Sequence, residues 1–111
     1  MADKVLVVVG TAERAKAQAG TMYAVNALKH GWMEDVRLMF FGPAETLLLD
    51  DEDLQELVRE YQRHEGTPVA CKFLADREGT SSSLAELGLD VAYVGPLISE
   101  LIRDGYAPMV W

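Results

Sequence analysis

The sequence predicts an α/β protein, a three-layer α/β/α sandwich around a mainly parallel, five-stranded, Rossmann-like sheet. Two observations support this prediction. Apolar segments rich in β-branched residues alternate with segments of helical periodicity along the chain, and the connections between them are short, as right-handed crossovers between parallel strands require. The length of 111 residues suits one compact domain. We therefore expect residues 1–111 to form a single domain.

Five segments have the composition of strands. The first, KVLVVVG at residues 4–10, is apolar at both odd and even positions, which is typical of a strand buried on both faces. The others are EDVRLMFFG, TPVACKF, DVAYVG and APMVW, at residues 34–42, 67–73, 90–95 and 107–111.

Five segments between the strands are expected to be helical. The clearest is amphipathic, with Leu54, Leu57, Val58 and Tyr61 at helical spacing. The predicted helices cover residues 11–31, 43–49, 50–66, 83–88 and 96–105. Residues 74–82 are predicted to form a polar loop.

Two local signals mark the ends of these helices. Pro43 suits the first turn of a helix, where its missing N–H is not needed. Ser83 and Glu86 have the spacing of a capping box, which predicts a helix that begins at Ser83.

The charge balance argues against nucleic acid as a partner. Eighteen acidic residues face ten basic ones, which gives a formal net charge of −8, and the chain contains no run of Lys or Arg. Binding a polyanion requires a concentrated basic surface. We therefore expect no nucleic-acid partner.

The apolar segments and the cysteine content predict a cytoplasmic protein without a membrane span. The apolar stretches are too short to cross a bilayer, and the N-terminus has too little positive charge before its apolar run for a signal peptide. A single cysteine, Cys71, permits no disulfide within the chain and agrees with a reducing compartment.

The predicted topology places several loops at one edge of the sheet. In parallel sheets the loops that follow the strands gather at the carboxyl edge, where ligands usually bind. Here they are residues 10–14, 41–43, 71–77 and 95–96. Cys71 therefore lies close to the expected functional edge.

Two interpretations of Cys71 remain open from its position alone. A free cysteine at the end of a strand is commonly a packed hydrophobic residue. Alternatively it is a reactive thiol, because Lys72 and Arg77 are cationic, a helix can follow, and both features stabilise a thiolate. Lys72 is expected to point to the opposite face of the strand.

Four segments together resemble a known family of small proteins. They are VVVGTAERAKAQAGTMYAVNAL, DVRLMFFGPAETLLL, GTPVACKFLADREG and LGLDVAYVGPLISELIRDGYAPMVW. In order and spacing they resemble the DsrE/DsrF-like family of sulfur-relay proteins, along nearly the whole chain. The most telling feature is a cysteine that ends the third strand, followed by a small loop, a short helix and a DVxxVG strand.

The resemblance implies a function as well as a Rossmann-like fold. Cys71 would accept a sulfane sulfur as a persulfide, as a sulfurtransferase-type carrier, and pass it from a donor protein to an acceptor protein. It also implies self-association into a homo-trimer or homo-hexamer, and requires no metal or organic cofactor. Residues expected to form the surrounding pocket or to stabilise the thiolate are Gly10, Thr11, Arg14, Gly42, Lys72, Arg77 and Gly95.

Other candidate sites have simpler explanations. His30 and His64 each lie close before a glycine at the end of a predicted helix, where capping is the expected role. The acidic run at residues 50–53 lacks the spacing of a calcium loop and suits the first turn of a helix. GTAER at residues 10–14 could offer N–H groups to an anion, but the dinucleotide fingerprint is absent.

Two apolar segments raise the question of subunit contacts. A short helix cannot bury all three leucines at positions 47–49 in one small core, and residues 109–111 place a tryptophan at the end of the sequence. Such residues either form contacts between copies or fold over the edge of their own sheet. With the resemblance, we expect a closed homo-oligomer.

The alternative function is a non-catalytic oligomeric or small-ligand-binding module of the same fold, with an inert Cys71. Burial of the sulfur would favour this alternative. A third hypothesis is a nucleotide or flavin binder at the same edge, which a coloured or nucleotide-bearing preparation would reveal.

Overall fold

The computed structural model describes residues 3–111, which contain five strands and six helices. The strands are β1 (Lys4–Val9), β2 (Asp35–Phe40), β3 (Val69–Cys71), β4 (Asp90–Ala92) and β5 (Tyr106–Val110). The helices are α1 (Arg14–Lys29), α2 (Pro43–Asp50), α3 (Glu52–Arg63), α4 (Lys72–Glu78), α5 (Ser81–Glu86) and α6 (Val94–Arg103).

The five strands form one sheet in the order β4-β3-β2-β1-β5, and each neighbouring pair is parallel. β1 lies between β2 and β5, with Val5 opposite Val36 on one side and Ala107 on the other. Helices cover both faces, so the predicted three-layer α/β/α sandwich is confirmed.

The two faces of the sheet differ in their cover. We call the first the packed face: the β1 side chains Val5, Val7 and Val9 pack there in a large cluster with residues of α1, α2, α3 and α5. We call the second the open face: Leu6 and Val8 pack there in a smaller cluster, mainly with residues of α6. α4 contributes Ala75 to the first cluster and Leu74 to the second.

The chain between Cys71 and Leu87 differs from the sequence prediction. β3 ends at Cys71 rather than continuing to residue 73, and α4 occupies most of the predicted polar loop. Lys72 and Asp76 lie one helical turn apart and form an ion pair, with 3.0 Å between Nζ and Oδ2. Such i,i+4 pairs support a short helix, and a loop assignment from polarity alone missed this one.

The predicted capping box at Ser83 is wrong. α4 ends at Gly79, whose φ of 73° is readily adopted only by glycine. The chain begins α5 almost at once, at Ser81 with Thr80 as its N-cap residue. Ser83 therefore lies inside the helix and cannot cap it.

The fourth strand is also shorter than predicted. β4 ends at Ala92, and α6 begins at Val94, two residues before Pro96. A proline is tolerated in the first helical turn because that N–H has no helical acceptor. Gly95 consequently belongs to a helix rather than to a loop at the carboxyl edge.

The residues predicted to cap helices do lie at helix ends. His30 and His64 are the C-cap residues of α1 and α3. Asp51 is the N-cap residue of α3, and its carboxylate accepts hydrogen bonds from the main-chain N–H groups of Asp53 and Leu54. Residues 51–53 thus start a helix, as expected, whereas Asp50 is the last residue of α2.

The apolar segments near residues 48 and 111 pack largely within their own chain. Leu48 is buried, whereas Leu47 and Leu49 are half-buried. Trp111 covers Gly20 of α1 closely, because a Cβ atom added to Gly20 would lie 2.5 Å from Cγ of Trp111. Of the two interpretations of Trp111, folding over its own sheet accounts for this packing.

Candidate functional site

Cys71 is the last residue of β3 and the N-cap residue of α4. Its neighbour across the sheet is Ala92 of β4. The side chain is buried, with 5% of the residue exposed, and belongs to the open-face cluster with Leu6, Val8 and Met39. The cysteine therefore lies at the carboxyl edge of the sheet, beneath the surface of the isolated chain.

A side-chain carboxylate accepts the main-chain N–H of Cys71. The ladder between β2 and β3 ends at the pair Phe40 and Ala70. Beyond this point the Cys71 N–H donates to Oε1 of Glu45, with 3.1 Å between nitrogen and oxygen. Glu45 thus ties the β3–α4 junction to α2.

Glu45 itself sits in the first turn of α2. The N-cap residue of this helix is Gly42, whose φ of 74° favours glycine and which has no side chain for capping. The carboxylate of Glu45 is instead stabilised by the Gly42 N–H, which corresponds to the glutamate half of a capping box. Glu45 therefore organises the starts of two helices.

The carboxyl group of Glu45 is protonated more readily than an ordinary glutamate. The residue is 2% exposed, and burial, which disfavours the charged form, raises its pKa to about 7. The hydrogen bonds from Cys71 and Gly42 act in the opposite direction and only partly offset this effect. Near neutral pH the group therefore exists in both protonation states.

Glu45 lines an open groove of about 1150 Å³ on the open face. Leu6 and Val8 of β1 contribute to its base, and Ile98 and Ile102 of α6 to its side. It is also bordered by Phe41, Leu74, Arg77, Pro108 and Val110. The groove is mostly apolar, with a buried ionisable carboxyl group near the carboxyl ends of β1 and β2.

Three of the residues predicted to surround the cysteine line this groove. Gly10 and Gly42 follow β1 and β2, and Arg77 projects from α4. A Cβ atom on Gly10 would lie 3.2 Å from the carbonyl oxygen of Phe41. The absence of a side chain at Gly10 thus allows the two loops to approach each other.

Two cations predicted near the thiolate are engaged elsewhere. Arg14 pairs with Asp51 and Asp53, at N–O distances of 2.7 and 2.9 Å. Lys72 was expected to point to the opposite face of the strand, but this is wrong because Lys72 is the first residue of α4. Its ammonium group pairs with Asp76. Both cations are therefore held by carboxylates.

Two further predicted pocket residues do not line the groove. The main-chain N–H of Thr11 donates to the carbonyl oxygen of Trp111 at 3.2 Å, and its hydroxyl accepts the N–H of Glu13. Gly95 is exposed in the first turn of α6 and is not part of the groove lining. Thr11 therefore connects its loop to the end of the chain and to the start of α1, and Gly95 lies outside the groove.

Within residues 3–111, no three His, Cys, Asp or Glu side chains are grouped so that they could hold a metal ion. In the same part of the chain, no helix has the length and apolar character needed to cross a membrane.

Glu45 is the residue that sequence reasoning missed. Its position three residues after Gly42, with Pro43 between them, is a detectable signal for a first-turn glutamate that reaches back to the N-cap. Its bond to Cys71 spans 26 residues of sequence and depends on where β3 ends. No local pattern reports that contact.

Known structures share this fold. The conserved protein of unknown function BT1422 from Bacteroides thetaiotaomicron superposes with a TM-score of 0.81 at 22% identity, over 96% of this chain and 94% of that one. The ychN protein from E. coli superposes with a TM-score of 0.79 at 13% identity, over 97% and 98% of the two chains. No family model and no curated protein matches the sequence. At these identities the likeness shows the fold.

Proposed function

We propose that the protein is a sulfur-relay carrier that accepts a sulfane sulfur on Cys71 as a persulfide and passes it to a partner protein. The observation that carries the proposal is the place of the single cysteine at the carboxyl end of β3, joined through Glu45 to an open groove. The sequence resemblance to the DsrE/DsrF-like family and the fold shared with the two bacterial proteins support it.

The chemistry requires one thiol and no cofactor. The Cys71 thiolate attacks the outer sulfur of a donor persulfide, a Cys71–S–SH group forms, and the donor leaves as a thiolate. A thiolate of the acceptor protein then attacks the outer sulfur, which restores the Cys71 thiolate. The outer sulfur changes partner twice, and no external oxidant or reductant is consumed.

Burial of the cysteine sets a condition on this transfer. With 5% of Cys71 exposed, a protein donor reaches the sulfur only when the β3–α4 junction opens. α4 is short, with seven residues, and a single buried residue, Ala75, anchors it to the core. Segments with few buried contacts open at low free energy.

Mass spectrometry of the intact protein tests the proposal. After incubation with a sulfane-sulfur donor, the protein is expected to gain one sulfur, about 32 Da, which a reductant removes. Cys71→Ser should gain none. The double variant Cys71→Ser/Ser82→Cys, which moves the thiol to an exposed position on α5, is the matched control. Equal uptake there would contradict a specific role for position 71.

We also propose a cytoplasmic location and a homo-oligomer, a trimer or hexamer, with protein partners as sulfur donor and acceptor. Ile102 and Val110 support self-association, because these apolar residues on the rim of the groove are 47% and 75% exposed. Analytical ultracentrifugation of the wild type and of Val110→Glu tests self-association. A wild type that remains monomeric at high concentration would contradict it.

A second candidate function is a small-ligand-binding module with an inert cysteine. The buried sulfur and the groove of about 1150 Å³ favour it. It predicts a thiol that alkylating reagents do not modify in the folded protein, and a small molecule retained in native mass spectra. Sulfur uptake at Cys71 would decide against an inert cysteine.

A further inference from the structure

Glu45 combines three properties that rarely occur together. It is almost fully buried, it lines the groove, and it accepts the main-chain N–H of the cysteine proposed to react. Buried carboxyl groups are usually paired with a cation, whereas the partners of this one are main-chain N–H groups. Burial therefore destabilises the charged form of the Glu45 carboxyl group more than the protonated form.

We propose that Glu45 is a positioning residue for Cys71, and that loss of its proton promotes opening of the β3–α4 junction and thereby exposes the sulfur. The proposal rests on the proposed role of Cys71 as the sulfur acceptor. It assigns to the site a regulation by pH in the neutral range.

The direction follows from linkage between protonation and opening. In the closed structure the pKa of Glu45 is about 7, whereas an ordinary hydrated glutamate has a value of 4.5. The closed junction thus binds the proton more tightly than an open junction in which water reaches the carboxylate. Deprotonation must therefore shift the equilibrium toward the open junction.

The groove lining contains two other charged side chains besides Glu45. Arg77 and Glu78 of α4 line the groove, and both are exposed. They form an ion pair with 3.8 Å between Nε of Arg77 and Oε1 of Glu78. The lining residues from β1, α6 and β5 are apolar apart from the glycine that follows β1. Glu78 is thus the other groove carboxylate whose contribution must be tested.

The experiment compares Cys71 alkylation in the wild type, Glu45→Gln and Glu78→Gln between pH 5.5 and 8.5. Glutamine keeps the size and the carbonyl acceptor of a protonated Glu45. The ratio of the wild-type rate to the Glu45→Gln rate should increase by about tenfold or more between pH 5.5 and 8.5 and level off above about pH 7. Each rate is first divided by the thiolate fraction of the same protein, measured by ultraviolet absorbance, because removing a carboxylate close to Cys71 also changes the reactivity of the thiol.

Glu78→Gln distinguishes the two carboxylates of the groove. We expect its ratio to the wild type to stay constant over the whole range. A constant ratio for Glu45→Gln, or a pH-dependent ratio for Glu78→Gln alone, would overturn the proposal. A thiol that does not react in any of the three folded proteins would also overturn it.

Hydrogen exchange of the wild type provides a second test that needs no variant. The protection factor of the Cys71 amide should fall as pH rises through about 7, whereas that of Ala70 should stay level. Sulfur uptake measured in parallel separates the two proposals. Normal uptake without the pH effect refutes the role of Glu45 alone, and the pH effect without uptake at any pH refutes the sulfur carrier.

Discussion

The packed face and the open face are built from the same strands but have different degrees of cover. Along β1, Val5, Val7 and Val9 pack beneath several helices, whereas Leu6 and Val8 pack mainly beneath α6 and form part of the groove. Because successive side chains of a strand point to opposite faces, this difference arises from the helices rather than from the strands.

The last residue of β5 and the residue that follows it show the same contrast. Trp111 packs against Gly20 and the packed-face cluster, whereas Val110 is 75% exposed beside the groove. A parallel sheet of this type is normally covered on both faces. The open face is therefore the part of the molecule where a ligand, a second copy or a partner protein has room to bind.

The largest expected effect comes from truncating a side chain on each face. Leu54→Ala removes a fully buried side chain of the packed face and should lower the free energy of unfolding by about 3.5 kcal/mol. In the isolated chain, Ile102→Ala, at 47% exposure on the open face, should lower it by less than about 1 kcal/mol. Urea unfolding measures both.

Protein concentration sharpens this comparison. If a second copy covers the open face, Ile102→Ala becomes as damaging as Leu54→Ala, and the wild-type midpoint rises with protein concentration. A midpoint independent of concentration, together with a small effect of Ile102→Ala, would mean that the open face is free in solution.

The contact between Gly20 and Trp111 provides the next largest effect. Gly20→Ala places a methyl group 2.5 Å from the indole ring and should destabilise the protein by about 2.5 kcal/mol, as overpacking does. The double variant with Trp111→Ala should recover part of this loss, because the methyl group then has space. Fully additive effects in the double-mutant cycle would contradict a direct contact.

The strands and most helices could be predicted from the sequence because each depends on a local pattern. KVLVVV reads as a buried strand and is β1, and the spacing of Leu54, Val58 and Tyr61 identifies α3. α4 was missed because its segment reads as polar, although Ala75 packs in the core and Lys72 and Asp76 form an ion pair along the helix. These contacts are not visible in polarity alone.

The candidate site was only partly predictable for a similar reason. The place of Cys71 near the carboxyl edge of the sheet and of the glycines after β1 and β2 follows from topology and turn chemistry. Arg14 was assigned to the thiolate because it follows β1, but Asp51 and Asp53, some forty residues away, hold it. Glu45 meets Cys71 through a tertiary hydrogen bond, which requires the fold to be known.

Glu45 should also make the stability of the whole protein depend on pH. Its pKa is raised from 4.5 to about 7 in the folded protein, so the folded state binds more protons than the unfolded state between these values. The contribution of Glu45 to stability is then greatest below about pH 4.5 and declines as pH rises to about 7, by about 2 kcal/mol after allowance for water in the groove.

Glu45→Gln should remove this contribution. Unfolding free energies measured from pH 5 to 8 are expected to decline less in the variant than in the wild type, with the curves meeting at low pH. Parallel curves for the two proteins would show that Glu45 is not the group responsible.

The smallest expected effects concern the hydroxyl groups of two tyrosines that donate hydrogen bonds to residues at the start of β2. Tyr61, on the packed face, donates its hydroxyl to the carbonyl oxygen of Val36 at 2.7 Å, and both residues are buried. Tyr106, packed against the open-face cluster, donates to the carboxylate of Asp35, and both are half-buried.

Removing each hydroxyl should therefore have different consequences. Tyr61→Phe leaves a buried carbonyl without this donor and should lower the free energy of unfolding by about 1.5 kcal/mol. Tyr106→Phe leaves a carboxylate that water can reach, and the loss should be about 0.5 kcal/mol. Urea unfolding resolves this difference. Equal losses for the two variants would show that water is excluded from the Tyr106 hydroxyl as effectively as from the Tyr61 hydroxyl.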